Sequence, residues 1–147
     1  MDFICKCTDC NTSDPEYTDS FCISFIRKGN FLFHTFRNSF DSFNGCILVT
    51  KPGYEHSVTH CHSIPDECTI IEFRQDFFDQ LLLQYDLKIS GFFRNDDQHS
   101  ILLKATPETE FLHWSIISSL FEERYSKMKI DGLVLELADQ IIHGILD

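Results

Sequence analysis

The hydrophobic pattern changes its period near Arg74, and this change divides the chain into a β-rich part and a helical part. Before Arg74, short apolar runs alternate with polar residues and are separated by turn signals. Those signals are Lys28-Gly29-Asn30, Asn44-Gly45 and Lys51-Pro52-Gly53. Short strands at this spacing are typical of an antiparallel sandwich or barrel. After Arg74, apolar residues recur every three or four positions, which predicts helices.

The elements follow from these periods. We predict strands within residues 1–74 and one returning strand at about 100–104, with helices at about 75–86 and 106–146. The run SFCISFIRKGNFLFHTF alternates on both sides of Lys28-Gly29-Asn30, which is typical of a hairpin. Thr106 is a natural N-cap and Pro107 a natural first helical residue. With no linker visible, we expect residues 1–147 to form one domain.

The last predicted helix carries two adjacent apolar faces. One face has Val134, Ala138, Ile141 and Ile145, and the other has Leu135, Ile142 and Leu146. So wide an apolar surface needs cover on more than one side. We therefore expect a homodimer that forms through the C-terminal helices.

Charge excludes one class of partner. Lys and Arg number 12 against 23 Asp and Glu, a formal net charge of -11. Such a surface repels phosphate backbones and anionic lipids, so we expect no DNA or membrane contact by this chain. The start, MDFICKCTDC, lacks the basic and apolar regions of a signal peptide. A cytoplasmic protein is expected.

The seven cysteines are expected to be reduced thiols, since their number is odd and no signal peptide precedes them. Cys22 and Cys46 lie in apolar stretches and are predicted to be small core residues. The others belong to two clusters, Cys5-Lys6-Cys7-Thr8-Asp9-Cys10 and a second that runs from His60 to Cys68.

These clusters predict one structural zinc ion. Cys7 and Cys10 have the C-x-x-C spacing that lets two thiolates reach one metal, and His60 and Cys68 flank a loop whose ends can converge. Cys5 and His62 are reserve ligands, because each shares a strand face with a chosen one. Unliganded thiols and a thiol redox switch remain as alternatives.

The sequence lacks the common catalytic motifs. It contains no G-x-S-x-G, no glycine-rich phosphate loop and no H-E-x-x-H, and its carboxylates are spread over the chain. We therefore expect a protein that is not an enzyme.

The stretch from Cys22 to about Leu81 resembles the N-terminal sensor domain of AraC-type bacterial transcription regulators. CISFIRKGNFLFHTF is similar to the opening hairpin of that family, and GCILVTKPGYEHSVTH resembles the strands that follow it. HCHSIPDECTIIEF is similar to a pattern in one branch of the family, in which a His, a loop, an Asp, any residue and a Cys lead into a strand. The loop Ser63-Ile64-Pro65 stands where glycines are commoner in the family.

The resemblance implies a mainly β fold, a small cupin-like antiparallel barrel followed by C-terminal α-helices. It implies an effector-sensing and dimerisation domain with an unknown small-molecule effector. DNA contact is then expected from a C-terminal helix-turn-helix domain that is absent from this chain. Phe25, Phe31, Phe33 and Tyr54 are candidates to line the barrel. Two alternatives are a small metal-dependent cupin enzyme and a sensor of thiol-reactive agents or metals.

Overall fold

Two antiparallel sheets and three α-helices make up the part of the chain that the computed structural model describes, residues 2–4, 12–60, 65–85 and 91–146. The strands are β1 (Asp2–Ile4), β2 (Glu16–Thr18), β3 (Phe21–Lys28), β4 (Asn30–His34), β5 (Ser39–Phe43), β6 (Cys46–Thr50), β7 (Tyr54–His60), β8 (Glu67–Phe73) and β9 (Ser100–Lys104). The helices are α1 (Gln75–Leu82), α2 (Pro107–Leu120) and α3 (Lys127–Leu146), and a short 3₁₀ turn spans Gly91–Phe93. The predicted class, a mainly β fold followed by helices, is confirmed.

The strands pair over long distances in sequence. One sheet has the order β1-β8-β3-β6-β9 and the other has the order β2-β7-β4-β5. The strand at Ser100–Lys104, where the sequence predicted one, pairs with β6 and forms the edge of the five-stranded sheet. Contacts divide the chain into two compact units, Met1–Lys104 and Ala105–Asp147. The single domain expected over residues 1–147 stays a prediction.

The predicted hairpin around Gly29 is wrong. β3 pairs with β6 and β8, whereas β4 pairs with β5 and β7, so the chain passes from one sheet to the other at this point. Gly29 alone separates the two strands, and its φ of +93° is a conformation that glycine adopts without strain. Alternation on both sides of a turn cannot distinguish a hairpin from a corner, because it reflects the period of each strand and not which strands pair.

The core between the sheets is formed by side chains from both of them. Its buried members are Ile26, Phe31, Phe33, Cys46, Leu48 and Cys68. The predicted burial of Cys22 and Cys46 is confirmed, since their exposed fractions are 8% and 6%. Phe25 is not one of these core residues. It belongs to β3, whose first six residues are all buried, so both faces of that strand are covered.

The helix ends have identifiable caps. Thr106 is the N-cap of α2, as predicted: its hydroxyl accepts a hydrogen bond from the backbone N–H of Thr109, and the Thr109 hydroxyl accepts one from the N–H of Thr106. α3 begins at Lys127. The hydroxyl of Ser126, directly before it, accepts a hydrogen bond from the N–H of Lys129, as an N-cap does.

Candidate functional site

The predicted zinc ligands are only partly within the described residues. Cys7 and Cys10, together with the reserve ligands Cys5 and His62, lie outside them. His60 ends β7, and Cys68 is the second residue of β8. In the described part of the chain, no group of three or more His, Cys, Asp and Glu side chains is close enough to hold a metal. The zinc site stays a prediction.

His60 contacts a buried carboxylate. Its Nδ1 lies 2.7 Å from Oδ2 of Asp66, whose exposed fraction is 2%. The other carboxylate oxygen, Oδ1, accepts a hydrogen bond of 2.9 Å from the backbone N–H of Asn30. Asp66 therefore holds the end of β7 to the start of β4. Cys68, two residues further on, is buried in the core between the sheets.

Gly29 packs directly against Asp66. A Cβ added at Gly29 would overlap Oδ1 of Asp66 and lie only 3.0 Å from its Cα. Asp66, the Asp of the His–Asp–Cys pattern, thus packs against Gly29 at the corner where the chain passes from one sheet to the other. This gives the pattern a structural role that does not depend on a metal.

A second polar group lies where β6 ends and β9 begins. Nε2 of His99 donates a hydrogen bond of 3.0 Å to the carbonyl of Lys51, which leaves Nδ1 to accept from the Ser100 hydroxyl at 2.8 Å. Burial lowers the pKa of His99 from 6.5 to about 4, so the ring is neutral at pH 7. Its tautomer and orientation are set by these two contacts, and the Tyr54 ring packs on it at 4.6 Å between centroids.

A cleft opens next to this group and encloses about 170 Å³. The rings of Phe21 and Phe78 stack with centroids 3.6 Å apart, and Phe93 lies 6.4 Å from Phe21 and 6.2 Å from Phe78. The lining residues are Phe21, Lys51, Pro52, Tyr54, Gln75, Phe78, Asp79, Leu82, Phe93 and Asp96. An aromatic wall with a few polar groups beside it is typical of a small-molecule site.

Lys51 holds one side of this cleft in place. Its ammonium group donates to the carbonyls of Phe92 at 2.6 Å and Asn95 at 2.8 Å, and lies 4.8 Å from the centre of the Phe92 ring. Burial lowers the pKa of Lys51. Since these bonds fix the turn that carries Phe93, Lys51 both lines the cleft and supports its aromatic wall.

Sequence reasoning missed Lys51. In the sequence it belongs to the turn signal Lys51-Pro52-Gly53, although it directly follows a strand whose five residues are all buried. A lysine at that position is a signal of a buried cation, which needs protein partners. Of the aromatic candidates, Tyr54 lines the cleft, while Phe31 and Phe33 belong to the core between the sheets.

The fold is similar to that of known regulators, although no protein-family model and no curated protein matches the sequence. Apo ToxT K231A from Vibrio cholerae strain SCE256 matches with a TM-score of 0.72 at 12% identity, over 99% of this chain and 55% of that one. Wild-type ToxT with a bound unsaturated fatty acid, from the same strain, matches with a TM-score of 0.60 at 12% identity, over 98% and 51%. The AraC-like transcriptional activator CuxR gives 0.60 at 13% identity, over 88% and 43%.

The chain therefore spans about half the length of the solved structures that it matches. No helix in the described residues is long and apolar enough to cross a membrane. At identities of 12–13%, the likeness is one of fold: the chain has the fold of the matched part of ToxT and of the AraC-like activator CuxR.

Proposed function

We propose that the chain is the effector-sensing and dimerisation domain of an AraC-type transcription regulator in the cytoplasm. DNA contact would come from a helix-turn-helix domain outside this chain, and the chain itself would not be an enzyme. The observation that carries this proposal is the cleft walled by Phe21, Phe78 and Phe93 in a fold similar to CuxR and ToxT.

The aromatic wall favours an effector with an apolar body. Fatty acids are the first class to test, because ToxT was solved with an unsaturated fatty acid bound. A cleft of about 170 Å³ would take the part of such a chain nearest its polar group. Ligand binding there would change the position of α1, since Phe78 and Leu82 of that helix line the cleft.

Oleate is therefore expected to stabilise the protein, by about 2.7 kcal/mol at a free concentration 100 times its dissociation constant. Leu82→Asp places a charge in the cleft and should abolish this gain. Leu83→Asp is the matched control. Leu83 is 84% exposed and does not line the cleft, so oleate should still stabilise this variant. Thermal unfolding with and without oleate measures both. An equal response from the two variants would contradict the cleft as the effector site.

Dimerisation through the C-terminal helices is part of the proposal. The premise is that the two predicted apolar faces of α3 exceed what one chain can cover, and Ala138, Ile141 and Ile142 of these faces are buried within the chain. Support comes from Met128 and Leu135 instead, which are exposed and seven residues apart, the spacing of a helix-pair contact.

Met128→Glu together with Leu135→Glu is expected to shift a dimer to a monomer, since each copy would then bring charges into the same apolar contact. Sedimentation equilibrium at tens of micromolar, an order-of-magnitude concentration for a transient contact, measures the change. Gln140→Glu on the exposed surface of α3 should leave the dimer intact. A wild-type chain that is already monomeric would refute the proposal.

One structural zinc ion, bound by Cys7, Cys10, His60 and Cys68, remains our proposal for the cysteine and histidine clusters. The contact between Nδ1 of His60 and Asp66 supports it, because metal-binding histidines usually give their other ring nitrogen to a carboxylate.

Purified protein should then carry about one zinc per chain. Cys10→Ser should release this zinc, because it removes a thiolate ligand. Cys46→Ala should retain it, since that thiol is free and buried. Metal analysis by mass spectrometry decides between the outcomes. A wild-type protein without stoichiometric zinc would rule out the site.

A further inference from the structure

Lys51 is a buried cation whose charge is not neutralised by a contact. Its exposed fraction is 9%. The ammonium group has three N–H donors, and two of them donate to the carbonyls of Phe92 and Asn95. These carbonyls carry no net charge, and no ion pair of Lys51 is present in the described part of the chain. Because a buried charge is costly unless it is paired, this position favours a negative group beside the ammonium.

A ligand in the cleft can supply that negative group. Lys51 lines the cleft together with Phe93 and Asp96, which flank the turn that the ammonium holds. The rings of Phe21, Phe78 and Phe93 provide apolar surface in the same cleft. A molecule with an apolar body on these rings and an anionic end on the ammonium would use both features.

Two carboxylates also line the cleft, and they limit how much negative charge a ligand can carry. Asp79 and Asp96 are exposed, so water and salt screen their charges, whereas the buried Lys51 is screened much less. Asp97, next in the chain, pairs with Arg37 at 3.9 Å and does not line the cleft. One negative charge can therefore pair with the ammonium, but a second would meet Asp79 and Asp96 without another cation among the lining residues.

We propose that Lys51 binds the head group of a monocarboxylate effector, whose apolar body packs on Phe21, Phe78 and Phe93. This assignment rests on the proposed function, because it concerns the polar end of the effector in the same cleft. Neutral lipids, amines and dianions of the same shape would bind less tightly. Since the same ammonium holds the turn that carries Phe93, the head group would be recognised where the aromatic wall is anchored.

Probes that share one oleyl tail test the head group on the wild-type protein. They are oleate, oleyl alcohol, oleylamine and oleyl phosphate, each titrated below its critical micelle concentration. Binding in the cleft is the part that Leu82→Asp removes. Oleate should bind about tenfold or more tightly than oleyl alcohol, the effect of one charged hydrogen bond. The net charge of -11 opposes anions in general, so this preference requires a local cation. Oleyl phosphate, close to doubly charged near pH 7, should bind more weakly than oleate.

Variants locate the preference at Lys51. Lys51→Met removes the charge and should bind oleate and oleyl alcohol equally, whereas Lys51→Arg should still prefer oleate. The ratio of the two affinities is the readout, since loss of the turn would weaken both probes alike.

A variant of the rim tests the limit on charge. Asp79→Asn should strengthen oleate binding about two- to fivefold, because it removes a repulsion at an exposed position. Asp76→Asn on the same helix is the matched control. Asp76 pairs with Arg74 and does not line the cleft, so the affinity should be unchanged.

Several results would overturn the proposal. Equal affinities of the wild-type protein for oleate and oleyl alcohol would do so, as would an undiminished preference for oleate in Lys51→Met. Tighter binding of oleylamine in the cleft would show that Asp79 and Asp96 set the sign of the ligand charge, and tighter binding of oleyl phosphate would contradict the single charge. In all these cases an oleyl compound still occupies the cleft, so the proposed effector site stands. Binding of none of the four would contradict the effector site itself, and this assignment with it.

Discussion

Gly29→Ala is expected to destabilise the protein by about 4 kcal/mol, at the upper end for a single substitution. The new methyl group would overlap Oδ1 of Asp66. That carboxylate cannot easily move away, because it accepts the Asn30 N–H and contacts His60 Nδ1. The φ of +93° adds backbone strain for any residue with a Cβ. Urea unfolding measures the loss.

Gly45→Ala is the matched control for the backbone term. Gly45 has a φ of +90°, and nothing lies within 4 Å of an added Cβ. Gly45→Ala should therefore lower the free energy of unfolding only by the strain of that conformation, about 1–2 kcal/mol. Equal losses for the two variants would show that the contact with Asp66 contributes nothing.

Asp66→Ala is expected to cost about 3 kcal/mol, because it removes the acceptor of two groups at a buried site. The affected groups are the backbone N–H of Asn30 and Nδ1 of His60. Asp66→Asn retains one carbonyl acceptor and should lose about half as much. The exposed Asp41 on β5 serves as the control, since Asp41→Ala should change stability by less than about 0.5 kcal/mol.

The two substitutions should not be additive. Once Asp66 is alanine, the methyl group added at Gly29 no longer meets a carboxylate oxygen, so part of its cost disappears. The double variant should therefore be more stable than the sum of the single losses implies, by 1 kcal/mol or more. Additive losses would show that the strain at Gly29 has another source.

Local pattern was sufficient to predict which elements form. Alternation identified β3 and β4, a returning strand was expected at 100–104, and Thr106-Pro107 marked the start of α2. These features depend on residues adjacent in sequence. The pairing of the strands does not, and the predicted hairpin at Gly29 was wrong. The corner at Gly29 packs against Asp66, which is 36 residues from the Asn30 whose N–H it accepts.

The candidate site was less predictable than the fold. The cleft combines Lys51, Phe78 and Phe93, which belong to a strand end, a helix and a short turn. No spacing in the sequence connects them. The exposure of Phe111 and Trp114 on α2 could not be predicted either, because it depends on what α2 packs against.

The order of the strands has a consequence for how fast the protein can fold. Every partner of β3 is distant in the chain: β3 pairs Phe21 with Phe73 in β8, and its other neighbour, β6, completes its own pairing only with β9 at Ser100–Lys104. Contacts between such distant residues require large loops to close before any of them is stabilised, and proteins built this way fold in milliseconds to seconds. During synthesis, the five-stranded sheet therefore stays incomplete, with β6 an open edge, until residue 104 has left the ribosome.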